Sequence, residues 1–516
     1  MFYHDGRHPH IYRYEPPMQK EEYAACIDEL AGTPIEAVMF CLGEGRTMLH
    51  DTKAGELLGH NVDSWDHLIF RRAHQNAKHL IDEGHDPLRI VCDRAHEKGI
   101  LLYPTLIMNA GGPNSVPVRC SNFRKNNPHL EIGAQGDLAP DFDGADNLDF
   151  KHKEARDERF AIIEEALTDY PVDGFELQFN HQTPHFHPNE VEAGRKIMTD
   201  WIGHVHETLK KSGSDRELAI HIPFKIEDCL SIGLDPEEWV KQGIVDVLIG
   251  QPFGHTDFAD PMTDFSDLIS LANSTDCRII ATLQARIASD RLSDSPTSVA
   301  RATACNYWDQ DIDGIYLSQW FNYWPYQANF YEIMREIPHP DIMASKDKFY
   351  YVPTDTERER PRKVSMQLPA SLDLNNPVKV QITISDDLPR WDKVNRVHEV
   401  ILRILIMETT ELDQLSFKLN GKELPETLLR KINQMYRMSS PRYRIFGYWF
   451  IFRLDSEHWP QKGNNTLEIT LLERDPDVTT QIQVRNVELE IKYLMGKNFH
   501  RGYVDPDLGP YEHTVS

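Results

Sequence analysis

A chain of 516 residues is longer than one ordinary domain and suits a large domain followed by a smaller one. Its 40% hydrophobic and 26% charged residues exclude a disordered or fibrous chain, and no apolar run reaches the roughly 18 residues of a membrane helix. With 81 acidic residues against 55 basic ones, the net charge of −26 repels a phosphate backbone and argues against nucleic acid and anionic membranes as partners.

The opening stretch, MFYHDGRHPHIYRYEPP, has no basic segment followed by an apolar one, the pattern of a secretory leader. Seven cysteines (Cys26, Cys41, Cys92, Cys120, Cys229, Cys277, Cys305) are scattered without CxxC spacing, as free thiols in a reducing compartment would be. The expected location is cytoplasmic. Apolar runs at 37–42, 100–108, 172–179, 218–222, 245–249, 279–283 and 312–317 read as strands. Amphipathic stretches at 87–98, 153–168, 190–211, 236–241, 265–274 and 298–309 read as the helices between them. Strands that each lead into a helix predict a parallel sheet. An eighth strand at 68–71 would close a (β/α)8 TIM barrel over residues 1–342.

Residues 343–365 are polar, rich in Pro, Arg and Glu, and read as a linker. Runs at 378–384, 400–408, 415–419, 448–453, 466–472 and 487–493 follow without long helices between them. Turn signals at Asn420-Gly421 and Gly463-Asn464-Asn465 punctuate them, predicting a C-terminal β-sandwich over 366–496 and a polar tail at 497–516. The sandwich is expected to brace the barrel or to form a homo-oligomer contact.

A TIM barrel carries its active site at the carboxyl ends of its strands, so the residues there are the candidates. Alternation along 173–180 puts Gly174, Glu176, Gln178 and Asn180 on one face and Phe175, Leu177 and Phe179 on the other. The apolar set packs under the helices, which leaves Glu176 as an inward carboxylate and a catalytic candidate. The alternative is a structural ion pair. Hydrolysis of a glycoside needs a second carboxylate, and Glu44, just past the first visible strand, is the best placed. Asp141, Asp143, Asp149, Asp257 and Asp260 are weaker candidates on loops. Arg46, Tyr103, Asn109, Gln178, Asn180, His181, His221, Gln251, Gln284 and Trp320 complete the strand ends as expected substrate-binding residues. Polar forks and flat aromatic faces of this kind suit a polyhydroxylated ligand such as an oligosaccharide.

His181, His185 and His187 lie within seven residues and could ligate zinc, but Pro184 and Pro188 break helical spacing and no HExxH pattern is present. The patch Arg71, Arg72, His74 and Asn76 could hold an anionic substituent; if it opens a helix, its arginines pair with acidic neighbours. There is no Gly-rich phosphate loop, GxSxG or dinucleotide fingerprint. No metal and no cofactor are expected.

The stretch from His85-Asp86-Pro87-Leu88 through Ala95-His96 to Gly99 resembles the "YDPL…AHKRGL" segment of the family-10-like glycosyl hydrolases. Asn126-Asn127-Pro128-His129, Leu148-Asp149-Phe150, Glu154-Ala155-Arg156 and Val172-Asp173-Gly174-Phe175 follow that family's "HPEW…LD…PEVR…VDGI" order. The resemblance covers roughly 85–185 and implies a glycosidase-type (β/α)8 barrel. In that family an acidic residue usually stands where this chain has Gln178, so the family's catalytic role does not transfer to that position. The expected function is glycoside hydrolysis, exo-acting on oligosaccharides, neutral, uronic or sulfated. Two alternatives are a sugar-acid lyase or isomerase using His221 with Tyr103, and a sugar-binding protein without turnover.

Overall fold

The barrel closes through a strand of only three residues. Phe2–His4 (β1) pairs in parallel with Ala37–Cys41 (β2), and Phe2 faces Leu317 of the last barrel strand. Leu101–Ile107 (β3), Gly174–Gln178 (β4), Glu217–Pro223 (β5), Val247–Gln251 (β6), Arg278–Gln284 (β7) and Gly314–Ser318 (β8) complete a closed, all-parallel barrel in chain order. This computed structural model describes every residue except 110–111, 113–116, 255–257, 293–294, 356–365, 434–446, 499–503, 506–508 and 511–516. The side chains of Glu44, Asn322 and Tyr323 are also outside the description, as are those of the short tail strands Val504–Asp505 and Gly509–Pro510.

The strand expected at 68–71 is instead the first turn of a helix. After Lys20–Asp28 (α1), the helix Leu68–Asp82 (α2) buries Phe70, Ala73, Ala77 and Leu80, a set at 3.6-residue spacing that extends well past Arg71. Pro87–Glu97 (α3) starts on the side chain of Asp86, which accepts from the Leu88 N–H, with Pro87 in the first turn. Lys153–Asp169 (α4), Val191–Ser212 (α5), Pro236–Gln242 (α6), Ser266–Ala272 (α7), Thr297–Trp308 (α8) and Ala328–Glu336 (α9) follow. Each covers the outward apolar face of the strands beside it, and the two faces merge into one continuous core. Among the described residues, no helix is long and apolar enough to cross a membrane. All seven cysteines are buried free thiols.

The antiparallel domain begins earlier than its sequence pattern suggests. Lys348–Val352 (β9), inside the stretch read as a linker, pairs along its whole length with Gln483–Tyr493, the last long strand. Val378–Ile384 (β10), Val397–Met407 (β11), Gln414–Leu419 (β12), Leu429–Asn433 (β13), Gly447–Arg453 (β14), Gly463–Glu473 (β15) and Gln483–Tyr493 (β16) form the rest. One sheet runs β9-β16-β11-β14-β13, with Ala370–Ser371 also paired to β16, and the other runs β10-β15-β12 and ends in the two-residue strand Lys422–Glu423. Their inner faces meet through Leu402, Ile404, Leu467, Ile469, Leu489 and Ile491, a sandwich core.

The sandwich grips two loops at the carboxyl rim of the barrel. Arg485 makes two bonds to Asp290 (2.8 and 3.1 Å) and Arg291 two to the buried Glu488 (3.1 and 2.8 Å). Asn486 donates to Ser289 (3.0 Å), and the Tyr351 hydroxyl donates to the Ala259 carbonyl.

Candidate functional site

The barrel register sorts inward side chains into layers. A register started at Phe2 and carried strand by strand reaches β8 at Asp309, eight residues short of Leu317, the residue Phe2 faces. A shear of eight therefore lowers each successive strand by one residue, and alternate strands share a layer. Met39, Glu176, Ile249 and Tyr316 form a middle layer. Above it lie Tyr3, Thr105, His221 and Thr282, then Cys41, Gln178, Gln251 and Ser318. Asp5, Ile107, Pro223 and Gln284 come last, at the carboxyl mouth.

The hydrogen bonds follow these layers. Glu176 is fully buried, and the Tyr316 hydroxyl donates to its Oε1 and Oε2 (3.0 and 3.2 Å). The Thr105 hydroxyl donates to Oε2, and Nδ1 of His221 lies 3.1 Å from Oε1. With its ring proton on Nδ1, His221 offers Nε2 to the Thr282 hydroxyl at 3.4 Å. Burial first, and then the charge of Glu176, push the Tyr316 phenol well above its usual range, so it stays a donor. Tyr3 stacks on Tyr316 with ring centroids 6.3 Å apart.

The upper layers contain polar atoms that the protein leaves unmet. Gln178 Oε1, Ser318 Oγ and both side-chain polar atoms of Gln284 are buried without a hydrogen-bond partner among the described residues. Burying such atoms unpaired is costly, so a ring of them beneath the mouth marks a place for a hydrogen-bonding ligand or its water.

The structure brings Glu176, Gln178, His221, Gln251 and Gln284 together and disperses several other sequence candidates. Tyr103 sits at the opposite, amino-terminal end, where its hydroxyl donates to Glu217 (2.6 Å) beside Arg278. It cannot pair with His221. Tyr316 is the tyrosine next to that ring, centroids 5.0 Å apart. Trp320 is 2% exposed, and its indole N–H donates to the Leu283 carbonyl (3.0 Å), so it packs instead of offering a face. Asn109 spends its amide on Pro184 O (3.2 Å), His185 (3.0 Å) and the Leu148 N–H (3.1 Å). Asn180 ties down the turn after β6 through Pro252 O (2.8 Å) and the Gly254 N–H (3.1 Å). Arg46 pairs with Glu56 (3.2 Å) and lies over the Phe123 ring.

Glu44 lies in the short strand Gly43–Glu44 after β2, with its side chain outside the described residues, as is Asp257. Asp141 and Asp143 are exposed, and Asp149 meets the Lys151 ammonium at 3.1 Å. Of the loop histidines, His181 is half-buried, His185 bonds to Phe179 O (2.9 Å), and His187 accepts from the Asn189 N–H (3.3 Å). Among the described residues, no group of three His, Cys, Asp or Glu is arranged to hold a metal. The 71–76 patch opens α2: Arg72 pairs with Glu15 (2.7 Å), and Asn76 donates to His10 O and Tyr14 O.

Sequence reasoning missed Tyr3 and Asp5 because it missed β1. It placed Tyr316 in an aromatic run without seeing that period-two alternation in 314–318 turns it inward with Gly314 and Ser318.

No protein-family model and no curated protein sequence matches this chain. Among solved structures it is similar to a cycloisomaltooligosaccharide glucanotransferase from Paenibacillus sp., at 13% identity over 94% of this chain and 56% of that one, TM-score 0.37. It is also similar to an endo-1,4-beta-mannanase from Rhizomucor miehei, at 12% identity over 64% of this chain and 92% of that one, TM-score 0.40. A maltogenic alpha-amylase from Thermotoga neapolitana is similar at 12% identity over 79% of this chain and 90% of that one, TM-score 0.40.

Proposed function

We propose that the protein is a glycoside hydrolase that cleaves an oligosaccharide from a chain end at the carboxyl mouth of the barrel, in the cytoplasm. The observation that carries this reading is the pairing of a buried Glu176, gripped by Thr105, Tyr316 and His221, with the unmet amide and hydroxyl groups of Gln178, Gln284 and Ser318 above it. Amides arranged this way suit sugar hydroxyls, and carboxylates supply acid–base chemistry. The resemblance of 85–185 to family-10-like glycosyl hydrolases supports the same class. Chain-end cleavage and location rest on the sequence alone. Two carboxylates are required, and the sequence offers Glu176 and Glu44.

A sugar-binding protein without turnover is the second reading. It is favoured by one observation: both Glu176 oxygens are already engaged and the residue is wholly buried. The test is incubation with neutral, uronic and sulfated oligosaccharides, with released monosaccharide followed by chromatography. Release from one substrate class, reduced at least about a hundredfold by Glu176→Gln, is the expected result. Thermal stabilisation by a sugar that is never cleaved would replace hydrolysis with binding.

A further inference from the structure

Glu176 lies deep in the barrel for a group that meets the substrate. Glu176 shares a register line with Thr105 and, through Thr105, with Cys41; one residue beyond the last β1–β2 pair, His4 and Phe40, that line reaches Asp5. Asp5 and Glu176 are three strand-to-strand steps apart. At roughly 3.3 Å per residue and a strand tilt of about 36°, Glu176 lies roughly 8 Å deeper along the barrel axis. His221, Thr105 and Thr282 lie over it.

Asp5 is differently placed. It follows β1 directly, in phase with the inward Tyr3, in a strand-end turn that also carries Arg7 and His8. Its Oδ1 accepts from the N–H groups of Arg7 (3.1 Å) and His8 (2.9 Å), which fixes the side chain. Its Oδ2 has Arg7 Nε and His8 Nδ1 at 3.7 Å each, beyond hydrogen-bond reach. One oxygen is thus anchored, and the other faces two cationic or polar side chains. Burial works to raise the Asp5 carboxyl, but His8 and Arg7 outweigh it and hold the group well below the usual carboxylate range. The His8 ring packs edge-on against Phe321, which follows β8, with centroids 4.8 Å apart. That contact carries the turn across to the rim of the last strand.

Building on the hydrolase reading, we propose that Asp5 is the carboxylate that acts on the substrate, and that Glu176 is a positioning residue that orients His221 and Tyr316 from below. Asp5 Oδ2 takes a proton from the attacking water as the water oxygen bonds to the anomeric carbon. The glycosidic C–O bond breaks with its electron pair on the leaving oxygen, which takes a proton from the second acid; Glu44 is the sequence candidate for that role. Exchange with water then returns both carboxyl groups to their starting states.

Asp5→Asn is the discriminating variant, because the amide oxygen still accepts from the Arg7 and His8 N–H groups while the base is lost. On the oligosaccharide that the wild type cleaves, the expected result is a fall in kcat of at least a hundredfold with KM within about threefold of wild type. Turnover of Asp5→Ala should return in molar sodium formate, whereas that of Glu176→Ala should not, because Glu176 lies beneath Thr105, His221 and Thr282, well below the mouth where Asp5 stands. Two results overturn the inference alone: Asp5→Asn keeping more than a tenth of wild-type kcat, which would make Asp5 only a cap of the following turn, or formate restoring the Glu176 variant. A wild-type protein that cleaves no member of the panel overturns the hydrolase reading, and this inference with it.

Discussion

Replacing Asp260 by Asn should stabilise the protein, and by an amount that depends on pH in a defined way. Asp260 lies in the loop after β6, where its carbonyl accepts the Tyr307 hydroxyl (2.9 Å) and its Oδ1 accepts the Met262 N–H (2.9 Å). Burial pushes its carboxyl up to about 6, against an ordinary value of 3.8. A raised carboxyl contributes stability that is fully present below the unfolded value and lost as pH rises through the folded one. In the wild type that loss runs between about pH 4 and 6 and amounts to about 3 kcal/mol, from about two units at 1.36 kcal/mol each. The Asn variant keeps the Met262 bond and has no charge to bury. Its advantage over wild type should therefore grow from about 1 kcal/mol at pH 4.5 to about 3 kcal/mol at pH 7, then stay level. Urea unfolding followed by tryptophan fluorescence at four pH values measures this. An equal difference at pH 4.5 and pH 7, or a variant less stable than wild type at pH 7, would refute the assignment of a half-buried, reluctantly charged carboxyl.

Three other perturbations test the packing around the site. Tyr316→Phe removes the single O–H shared between both oxygens of a buried carboxylate and should cost about 2 kcal/mol in urea unfolding; a loss under 0.5 kcal/mol would mean the phenol is dispensable to Glu176. Arg291→Ala strips the two-point partner from Glu488, which is 1% exposed, and should cost about 3 kcal/mol. Adding Glu488→Gln should recover part of that loss, and a double variant no better than the single one would count against an unpaired-charge cause. Gly6 has φ +70°, and a Cβ there would stand 2.5 Å from the Cys41 carbonyl oxygen, so Gly6→Ala should lower Tm through a loss of at least about 2 kcal/mol. An unchanged Tm would show that β1 can shift away from β2.

The barrel and the sandwich were legible because their strands are long apolar runs with helices between them in one half and turn residues in the other. What was not legible has specific causes. Phe2–His4 is too short for any periodic signal, and it earns its place in the sheet only by what flanks it, β2 and β8. Leu68–Arg71 looks strand-like as four residues and helical only when Ala73, Ala77 and Leu80 are read with it. Glu176 and Gln178 were found by alternation along one strand, and His221, Gln251 and Gln284 by standing at strand ends; both signals are local. Tyr103 was misplaced because it was read as a strand end, whereas its strand runs Leu101–Ile107 and starts only two residues before it; height in the barrel also depends on the shear, a property of all eight strands together. Trp320 and Asn109 were misread because strand-end position cannot reveal that an indole N–H or an amide is already committed to a neighbouring carbonyl.

The four fastenings between the sandwich and the barrel rim bear on how such a chain can change over evolutionary time. The loop after β7, on one side of the mouth, is held by residues nearly two hundred positions further on in the sequence, Arg485, Asn486 and Glu488, all on β16, and the loop after β6 is held from β9 by Tyr351. A barrel inherited without its own sandwich, or recombined with another, would keep every inward side chain and still lose the posture of its rim. Selection on ligand preference can therefore reach the mouth through substitutions on a distant β-strand, and the two domains should be inherited as one unit.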